Sequence, residues 1–319
     1  RSGLEQLDRS QGWRGPEKTL SAENLNDAVV ELGKLNDLIA VVEPPIDDVP
    51  EVAAALAQQY WPKFAGDRLP DCATGCALGL ADRLDTLVGI FGIGQPPTGS
   101  KDPFALRRAS LAVLRILVEK EIDLDLRTAL DAAVSGYPAD VIADGTTEQV
   151  LAYMIERFRA WYEEESIPVE VFRAVSARNL GRPLDIHRRV QAVHSFSALP
   201  EAQALAAANK RVSNILGKLD DSHKFGDVNA DLLCEPQETS LAENLQALSS
   251  SCADHLARDE YSEALACLAT LREPIDAFFD GVMVNVEDDA LRHNRLNLLR
   301  QLRQLFLGVA DISLLAVTK

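Results

Sequence analysis

A glycine-rich stretch between Gly94 and Lys101 reads GQPPTGSK and has nearly the spacing of a phosphate-binding loop. Such a loop has the order G-x-x-x-x-G-K-[ST], in which backbone N–H groups and the lysine contact phosphates and the hydroxyl holds Mg²⁺. Here Ser100 precedes Lys101, so the last two residues are reversed. The residues upstream, such as Leu80 and Leu84, recur at helical spacing, whereas a phosphate-binding loop follows a buried strand. The sequence therefore favours a turn between two helices over a nucleotide site.

Other catalytic patterns are missing from the sequence. It contains neither the G-x-S-x-G turn of a serine nucleophile nor the G-x-G-x-x-G fingerprint of a dinucleotide site. Asp276 and Asp280 stand one helical turn apart without a nearby histidine, so we expect pairing with Arg272 or solvent contact. The five histidines lack metal-ligand spacing; they are His187, His194, His223, His255 and His293. We predict no catalytic residue and no metal site in this chain.

The five cysteines are odd in number and scattered, which is typical of reduced thiols in a cytosolic protein. Cys72 and Cys76 are four residues apart, but no second pair stands at zinc-site spacing. With 319 residues, 47% of them apolar, the chain can bury a sizeable core. No apolar run is long enough for a membrane span, and no signal-peptide core is present. We therefore expect a cytoplasmic protein without membrane contact.

The net charge of −17 argues against binding to nucleic acid through a broadly basic surface. Any such contact must use a few clustered arginines and lysines, because the rest of the surface repels phosphates.

Helical periodicity dominates the chain. One amphipathic helix is predicted over residues 21–42, followed by a linker, and Pro200 suggests a domain boundary near residue 198. We predict three parts: a divergent N-terminal segment (1–47), a helical domain (48–198) and a bundle of about five helices (199–319). The predicted helices span roughly 50–60, 75–92, 102–120, 125–134, 147–165, 168–176, 185–196, 201–219, 238–256, 260–271, 274–283 and 288–308.

Two of these helices have basic faces. On the helix predicted over 201–219, an apolar stripe faces one side, and the opposite side carries Lys210, Arg211, Asn214 and Lys218. The last helix carries arginines along the edge of its leucine face, at Arg292, Arg295, Arg300 and Arg303. These faces could contact a polyanion, or they could be ordinary solvated helix faces with stems packed over the core.

Four strings of residues resemble the β subunit of the bacterial heterotetrameric glycyl-tRNA synthetase. They begin with the segment from Ala77 to Lys120, which includes GQPPTGSKDPFALRRAS, and continue with AAANKRVSNIL (206–216), LREPIDAFFDGVMVN (271–285) and LRHNRLNLLRQLRQLFLGVADISLL (291–315). The resemblance covers about residues 48 to 319, whereas the first 47 residues do not read like the family.

The resemblance implies an all-α fold: a helical domain similar to HD phosphohydrolases, then an anticodon-binding bundle similar to that of arginyl-tRNA synthetases. It also implies a division of labour, in which an α subunit holds ATP, Mg²⁺ and glycine and the β subunit binds tRNA(Gly), not DNA. On this reading the eight basic-face residues named above are tRNA contacts and this chain itself holds no cofactor.

Two other functions remain open at this stage. An HD-type hydrolase needs several histidine and aspartate ligands to hold a metal that activates water. Only Asp82 matches the family's final aspartate, because residues 1–76 contain no histidine. The other alternative is a non-enzymatic helical scaffold that binds a protein partner.

Overall fold

The computed structural model describes residues 50–99, 101–138, 140–219 and 224–316. Within them the fold is all-α, as predicted, and the only extended pairing is one isolated bridge between Thr98 and Lys101. The predicted helix over 21–42 and the whole 1–47 segment lie outside the described residues. The helices are α1 (Pro50–Gln58), α2 (Ala73–Gly92), α3 (Leu106–Glu119), α4 (Leu126–Ser135), α5 (Thr146–Glu164), α6 (Val169–Ser176), α7 (Pro183–Ser197), α8 (Ala202–Leu216), α9 (Pro236–Ala257), α10 (Tyr261–Ala269), α11 (Arg272–Gly281) and α12 (Asp289–Leu307), with 3-10 helices at Ala230–Leu232 and Ile312–Leu315.

Contacts between Cα atoms divide the chain into two compact units between Val150 and Leu151, inside α5. We call the parts before and after this point unit 1 and unit 2. The predicted domain boundary near residue 198 stays a prediction, although α7 and α10, on its two sides, pack against each other within unit 2.

Helix α2 is the centre of unit 1 and packs against α1, α3 and α4. Its predicted apolar face is confirmed, because Leu80, Leu84, Leu87, Val88 and Phe91 are all buried. The helix ends at Gly92, and a short loop leads to α3.

The loop from Gly94 to Lys101 therefore joins helix to helix, which confirms the prediction of a turn. Gly94 has a φ of +73° and Gly99 one of +49°, values that favour glycine. At the start of α3, the Asp102 carboxylate accepts hydrogen bonds from the N–H groups of Leu106 and Arg107. A phosphate would need these N–H groups, so the loop is not arranged as a phosphate-binding loop.

Unit 2 contains the predicted five-helix bundle, α8 to α12, with α7 packed against α8 and α10. Helix α9 contacts α10, α11 and α12, and helix α8 contacts α11, α12 and the 3-10 helix Ile312–Leu315. The bundle core is built from fully buried apolar side chains such as Leu241, Leu268, Phe278 and Leu299.

An aromatic cluster joins α5, α6 and α7. Tyr162 stacks on Phe158 with ring centroids 5.4 Å apart, and its hydroxyl lies 3.1 Å from Nδ1 of His187. Phe172 also contacts Tyr162, with centroids 5.9 Å apart. Burial lowers the pKa of His187, an effect that Glu165 opposes and Arg188 reinforces. The folded cluster therefore prefers a neutral imidazole.

This preference predicts a pH dependence of stability. Since the folded pKa lies below the unfolded value of about 6.5, the unfolded state takes up the proton first as the pH falls, and the free energy of unfolding decreases below about pH 6.5. His187→Gln should reduce this loss between about pH 7 and pH 5.5. Denaturant titrations across that range would measure it. His293→Gln, at an exposed position of α12, is the control, and equal slopes in both variants would exclude His187 as the source.

Candidate nucleic-acid interface

Helix α8 carries three of the predicted contact residues, Lys210, Arg211 and Asn214. Its apolar side is fixed in the bundle by the buried residues Leu205 and Val212, and buried Asn209 donates a hydrogen bond to the carbonyl of Leu205. On the opposite side Arg211 and Asn214 are exposed, as the helical spacing predicts.

Lys218 is not part of that helical face. Helix α8 ends at Leu216, and the N–H of Gly217 donates to the carbonyl of Ser213. The sequence prediction extended the helix to residue 219 and is wrong on this point. Gly217 favours the end of a helix, so Lys218 lies in the following turn, where it is exposed.

Arg211 stacks on an aromatic ring of a neighbouring helix. Its guanidinium carbon lies 4.1 Å from the ring centroid of Phe279 on α11. A guanidinium stacked on a ring is held in place, and the N–H groups in its plane can still donate hydrogen bonds to a ligand. Less side-chain entropy is then lost on binding a ligand. This pair could stack against a base or donate to a phosphate.

Lys210 and Asn214 also line a groove of about 770 Å³ between α6, α8 and the 3-10 helix Ile312–Leu315. Arg173 and Glu170 of α6 line it as well, so its charges are mixed. The groove extends the polar face of α8 toward α6.

Arg295 lies inside the bundle and not on its surface. Its side chain is 6% exposed and its Nε donates to Oε1 of Glu238 at 2.5 Å, while Nη1 donates to the carbonyl of Met283. Glu238 is itself fully buried. The sequence prediction that placed Arg295 on a ligand-facing edge is therefore wrong, because this guanidinium pairs with a distant acid in the core.

Arg292 and Arg303 form contacts within unit 2. Arg292 pairs with Asp289 and donates to the carbonyl of Val286 at 3.0 Å. Arg303 donates to the Asp311 carboxylate at 2.8 Å and is mostly buried, its side chain being 20% exposed. Arg292 is more accessible than Arg303, but both contribute their charge to internal pairs.

Arg300 forms a second arginine–aromatic pair. Its guanidinium carbon lies 4.9 Å from the ring centroid of Phe225. The loop that carries Phe225 is attached to α12, because the N–H of Gly226 donates to Oδ1 of Asn297 at 3.1 Å. Asn294 exchanges two hydrogen bonds with the backbone of Asn229, at 2.7 and 3.0 Å. Exposed Lys224 precedes the ring.

Sequence reasoning missed the two rings, Phe225 and Phe279, and also Lys224. The adjacent Lys224 and Phe225 in a glycine-containing loop were the available signal for one of them. Phe279 carried no such signal, because a phenylalanine on an amphipathic helix is ordinarily a core residue. The structure places Arg211, Asn214 and Lys218 at exposed positions and Arg300 at a half-buried one, and it stacks Arg211 and Arg300 on rings.

The described residues offer little for metal or nucleophilic chemistry. Within them no group of three or more His, Cys, Asp and Glu side chains could hold a metal ion. Asp82 is exposed on α2. All five cysteines are free thiols, and burial raises the pKa of Cys76 to about 11, so that its thiol stays protonated at neutral pH.

The sequence predicted that Asp276 pairs with Arg272 or contacts solvent. Nε of Arg272 lies 3.8 Å from Oδ2 of Asp276, which confirms the predicted pairing of that aspartate. No helix in the described part is long and apolar enough to cross a membrane.

Comparison with known proteins finds two families along the chain. The model described as glycyl-tRNA synthetase beta subunit matches residues 46–177, and the model described as DALR anticodon binding domain matches residues 205–312. A glycine–tRNA ligase beta subunit of Pseudomonas aeruginosa (strain UCBPP-PA14) is 56% identical over 265 residues, which cover 83% of this chain and 39% of the relative. The beta subunit of Marinobacter nauticus is 52% identical over 265 residues, covering 83% of this chain and 38% of the relative.

A longer match is found with the glycine–tRNA ligase beta subunit of Hahella chejuensis, 48% identical over 311 residues, or 97% of this chain and 45% of the relative. The chain thus spans less than half the length of the curated relatives that it matches.

Proposed function

The chain belongs to the glycyl-tRNA synthetase β-subunit family, with a DALR anticodon-binding domain over residues 205–312, and we propose that it is the tRNA-binding part of a glycine–tRNA ligase. The observation that supports this best is the surface of the matched anticodon-binding bundle. In a protein of net charge −17, that surface carries two arginines stacked on aromatic rings, Arg211 on Phe279 and Arg300 on Phe225.

This arrangement fits RNA recognition. RNA loops are bound through unstacked bases, which stack on aromatic or guanidinium planes and form hydrogen bonds at their edges, and through cations that contact phosphates. Arg211, Lys218, Lys224 and Arg300 supply the cations, and Asn214 supplies an amide able to read a base edge. We place the contact with the anticodon stem-loop of tRNA(Gly) on this surface, which excludes Arg295 and does not depend on Arg292 or Arg303.

The chemical step belongs to another chain in this proposal. ATP, Mg²⁺ and glycine bind to a partner α subunit, with which this chain forms a heterotetrameric ligase in the cytoplasm. The described residues provide a scaffold and an RNA-binding surface, and Asp82 stands without the other ligands of an HD metal site. An HD-type phosphohydrolase is therefore not favoured, and a purely structural scaffold would leave the arginine–aromatic pairs without a role.

The proposal predicts the behaviour of three substitutions on the α8 side of the bundle. Arg211→Ala and Lys218→Ala should each weaken binding of tRNA(Gly) by about 1 kcal/mol or more, and each should lower the slope of log affinity against log salt by about one, because each lost phosphate contact releases one counterion fewer. Asn214→Ala should weaken the cognate tRNA more than a non-cognate tRNA and leave the salt slope nearly unchanged. Fluorescence anisotropy across a salt series measures all three.

Arg178→Ala is the matched control, since Arg178 is an exposed arginine that follows α6 in the same unit. Circular dichroism melting curves must show that each variant is folded. If folded variants of all three residues bind tRNA with the affinity and salt slope of the Arg178→Ala control, the anticodon is not bound on this face.

A further inference from the structure

A small pocket in unit 1 is lined by four basic residues and by no acidic residue. It has a volume of about 150 Å³ and lies between the loop that follows α1 and one side of α3. Its basic lining residues are Lys63, Arg107, Arg108 and Arg115. We call it the α3 pocket. Four cations without a lining carboxylate are unexpected in a chain of net charge −17, and the combination favours an anionic ligand.

The four cations are held in different ways. The Arg115 Nε donates to Glu119 at 2.6 Å, which fixes the side chain, and its Nη1 is buried without a hydrogen-bond partner among the described residues. Arg107 donates to the carbonyl of Gly99 and is thereby oriented. The ammonium of Lys63 and the guanidinium of Arg108 form no ion pair or hydrogen bond within the described part of the chain.

Two carboxylates near this cluster, those of Asp67 and Asp102, accept hydrogen bonds from the backbone. The carboxylate of Asp67 accepts hydrogen bonds from the backbone N–H groups of Lys63 and Arg68, which lower its pKa. Asp102 caps α3 through the N–H groups of Leu106 and Arg107. The charge of Lys63 also helps to lower the pKa of Asp67. Neither carboxylate forms an ion pair with Lys63 or Arg108 within the described residues, so both cations can still contact an anionic ligand directly.

One exposed aromatic ring lines the pocket, and two more line the groove beside it. Phe64 lines it and is 63% exposed, an unusual degree of exposure for a phenylalanine. A neighbouring groove of about 630 Å³ shares Lys63 and Arg108 with the pocket and adds Tyr60 and Phe104, which are 61% and 44% exposed. Asp82 also lines that groove but does not line the α3 pocket. The pocket and the groove thus bring exposed rings and cations together in unit 1.

This combination identifies the class of ligand. The pocket volume is about five times the roughly 30 Å³ of a water molecule, enough for a phosphate group. Flat exposed rings beside phosphate-binding cations are the arrangement by which proteins hold single-stranded RNA, with bases stacked on the rings. A protein partner would use the rings, but it would need carboxylates for Lys63 and Arg108.

We propose that the α3 pocket binds a phosphodiester of tRNA, with a neighbouring base stacked on Phe64, and that unit 1 is thereby a second RNA contact separate from the anticodon-binding bundle. The proposal rests on the proposed function in that the bound RNA is a tRNA. It does not depend on which residues of the bundle read the anticodon.

The test compares full-length tRNA(Gly) with the isolated anticodon stem-loop, using the whole chain and fluorescence anisotropy over a salt series. Lys63→Ala and Arg108→Ala should each weaken full-length tRNA at least about fivefold and lower the salt slope by about one. Phe64→Ala should weaken full-length tRNA with little change in salt slope. None of the three should change affinity for the stem-loop.

Lys120→Ala is the matched control, because Lys120 is an exposed lysine directly after α3, about 18 Å along the helix axis from Arg108. It should bind both RNAs like the wild type. Inorganic phosphate should compete with full-length tRNA in the wild type more strongly than sodium chloride of equal ionic strength, and this difference should vanish in Arg108→Ala.

Three results would overturn the inference. Folded Lys63→Ala and Arg108→Ala that bind full-length tRNA like Lys120→Ala would leave the pocket without an RNA. Competition by phosphate without any loss of tRNA binding in the variants would make it a site for the free anion only. Loss of binding to a glycyl-tRNA synthetase α subunit, with tRNA binding intact, would make it a protein interface. A wild-type chain that binds neither RNA would instead refute the proposed function itself.

Discussion

Replacing Arg295 by alanine is expected to lower the free energy of unfolding of unit 2 by about 3–5 kcal/mol. The guanidinium and its partner Glu238 form an ion pair in the bundle core, with side chains 6% and 0% exposed. Removing one partner leaves the other charge buried without compensation, which costs far more than the loss of an exposed pair. The carbonyl of Met283 would also lose its donor.

Glu238 also caps the start of helix α9. Its Oε2 accepts hydrogen bonds from the N–H groups of Cys234 and Glu235, at 2.9 and 2.8 Å, and so closes the capping box at the start of α9. Glu238→Gln keeps the shape but removes the charge that Arg295 needs. It should therefore destabilise α9 and α12 together.

Hydrogen exchange read by mass spectrometry would localise these losses, since it reports on peptides of each helix separately. Arg292→Ala is the control on the same helix. The side chains of Arg292 and its partner Asp289 are 38% and 83% exposed, so their ion pair should contribute less than about 1 kcal/mol to the free energy of unfolding. A double substitution by apolar residues, Glu238→Leu with Arg295→Met, removes the uncompensated charge but leaves the N–H groups of Cys234 and Glu235 without their acceptor, so it should recover only part of the loss. An Arg295→Ala variant as stable as Arg292→Ala would show that the pair contributes nothing.

Arg295 also shows where sequence reasoning ends. Local periodicity predicted nearly every helix of the described chain, because the spacing of leucines and the positions of proline and glycine are local properties. Whether an arginine at the edge of an apolar face points to solvent depends on what lies opposite. The partner Glu238 is 57 residues away in sequence, so no local pattern contains that information.

At the candidate interface, too, the sequence predicted the positions of some residues and not of others. Arg211 and Asn214 were placed correctly on the surface of α8, since a single helix fixes which side faces the core. Their neighbour Lys218 was misplaced, because one glycine ended the helix earlier than the apolar stripe suggested. The rings on which the arginines stack lie on other elements: Phe279 on α11 and Phe225 in the loop before α9. Their contacts with the arginines depend on tertiary packing, which local sequence patterns do not predict.

Contacts of Arg189 on α7 cross the predicted domain boundary near residue 198. Its Nε donates to both Asp185 oxygens at 2.9 and 3.1 Å, and its Nη1 donates to the carbonyls of Gly308 and Val309 at 2.6 and 2.8 Å. The guanidinium carbon also lies 4.1 Å from the ring centroid of Tyr261. One side chain therefore joins α7 to both α10 and the end of α12.

The network around Tyr261 depends on this arginine. The Tyr261 hydroxyl donates to Asp185, and burial together with that bond raises its pKa. The Asp185 and Arg189 side chains are each only 13% exposed. Without the guanidinium, a mostly buried carboxylate would keep its charge and two backbone carbonyls would lose their donor.

Arg189→Ala should therefore lower the free energy of unfolding of unit 2 by about 3 kcal/mol or more. Arg189→Lys should recover only part of this, because one ammonium cannot reach the carboxylate, the two carbonyls and the ring together. Denaturant unfolding measures the loss. The neighbouring substitution Arg188→Ala is the control: Arg188 pairs with Asp259 at 3.0 Å, with both side chains 42% exposed, and should contribute less than about 1 kcal/mol.

The places at which Arg189→Ala loses protection against hydrogen exchange test the predicted domain boundary near residue 198. If α7 and the bundle unfold as one body, Arg189→Ala should raise hydrogen exchange in α7, in α10 and around Gly308 to the same extent, since all three share this side chain. Faster exchange confined to α7, with α10 and Gly308 as protected as in the wild type, would show that the bundle after residue 198 is an independent folding unit. In that case the contact of Arg189 joins two domains and does not stabilise a single one.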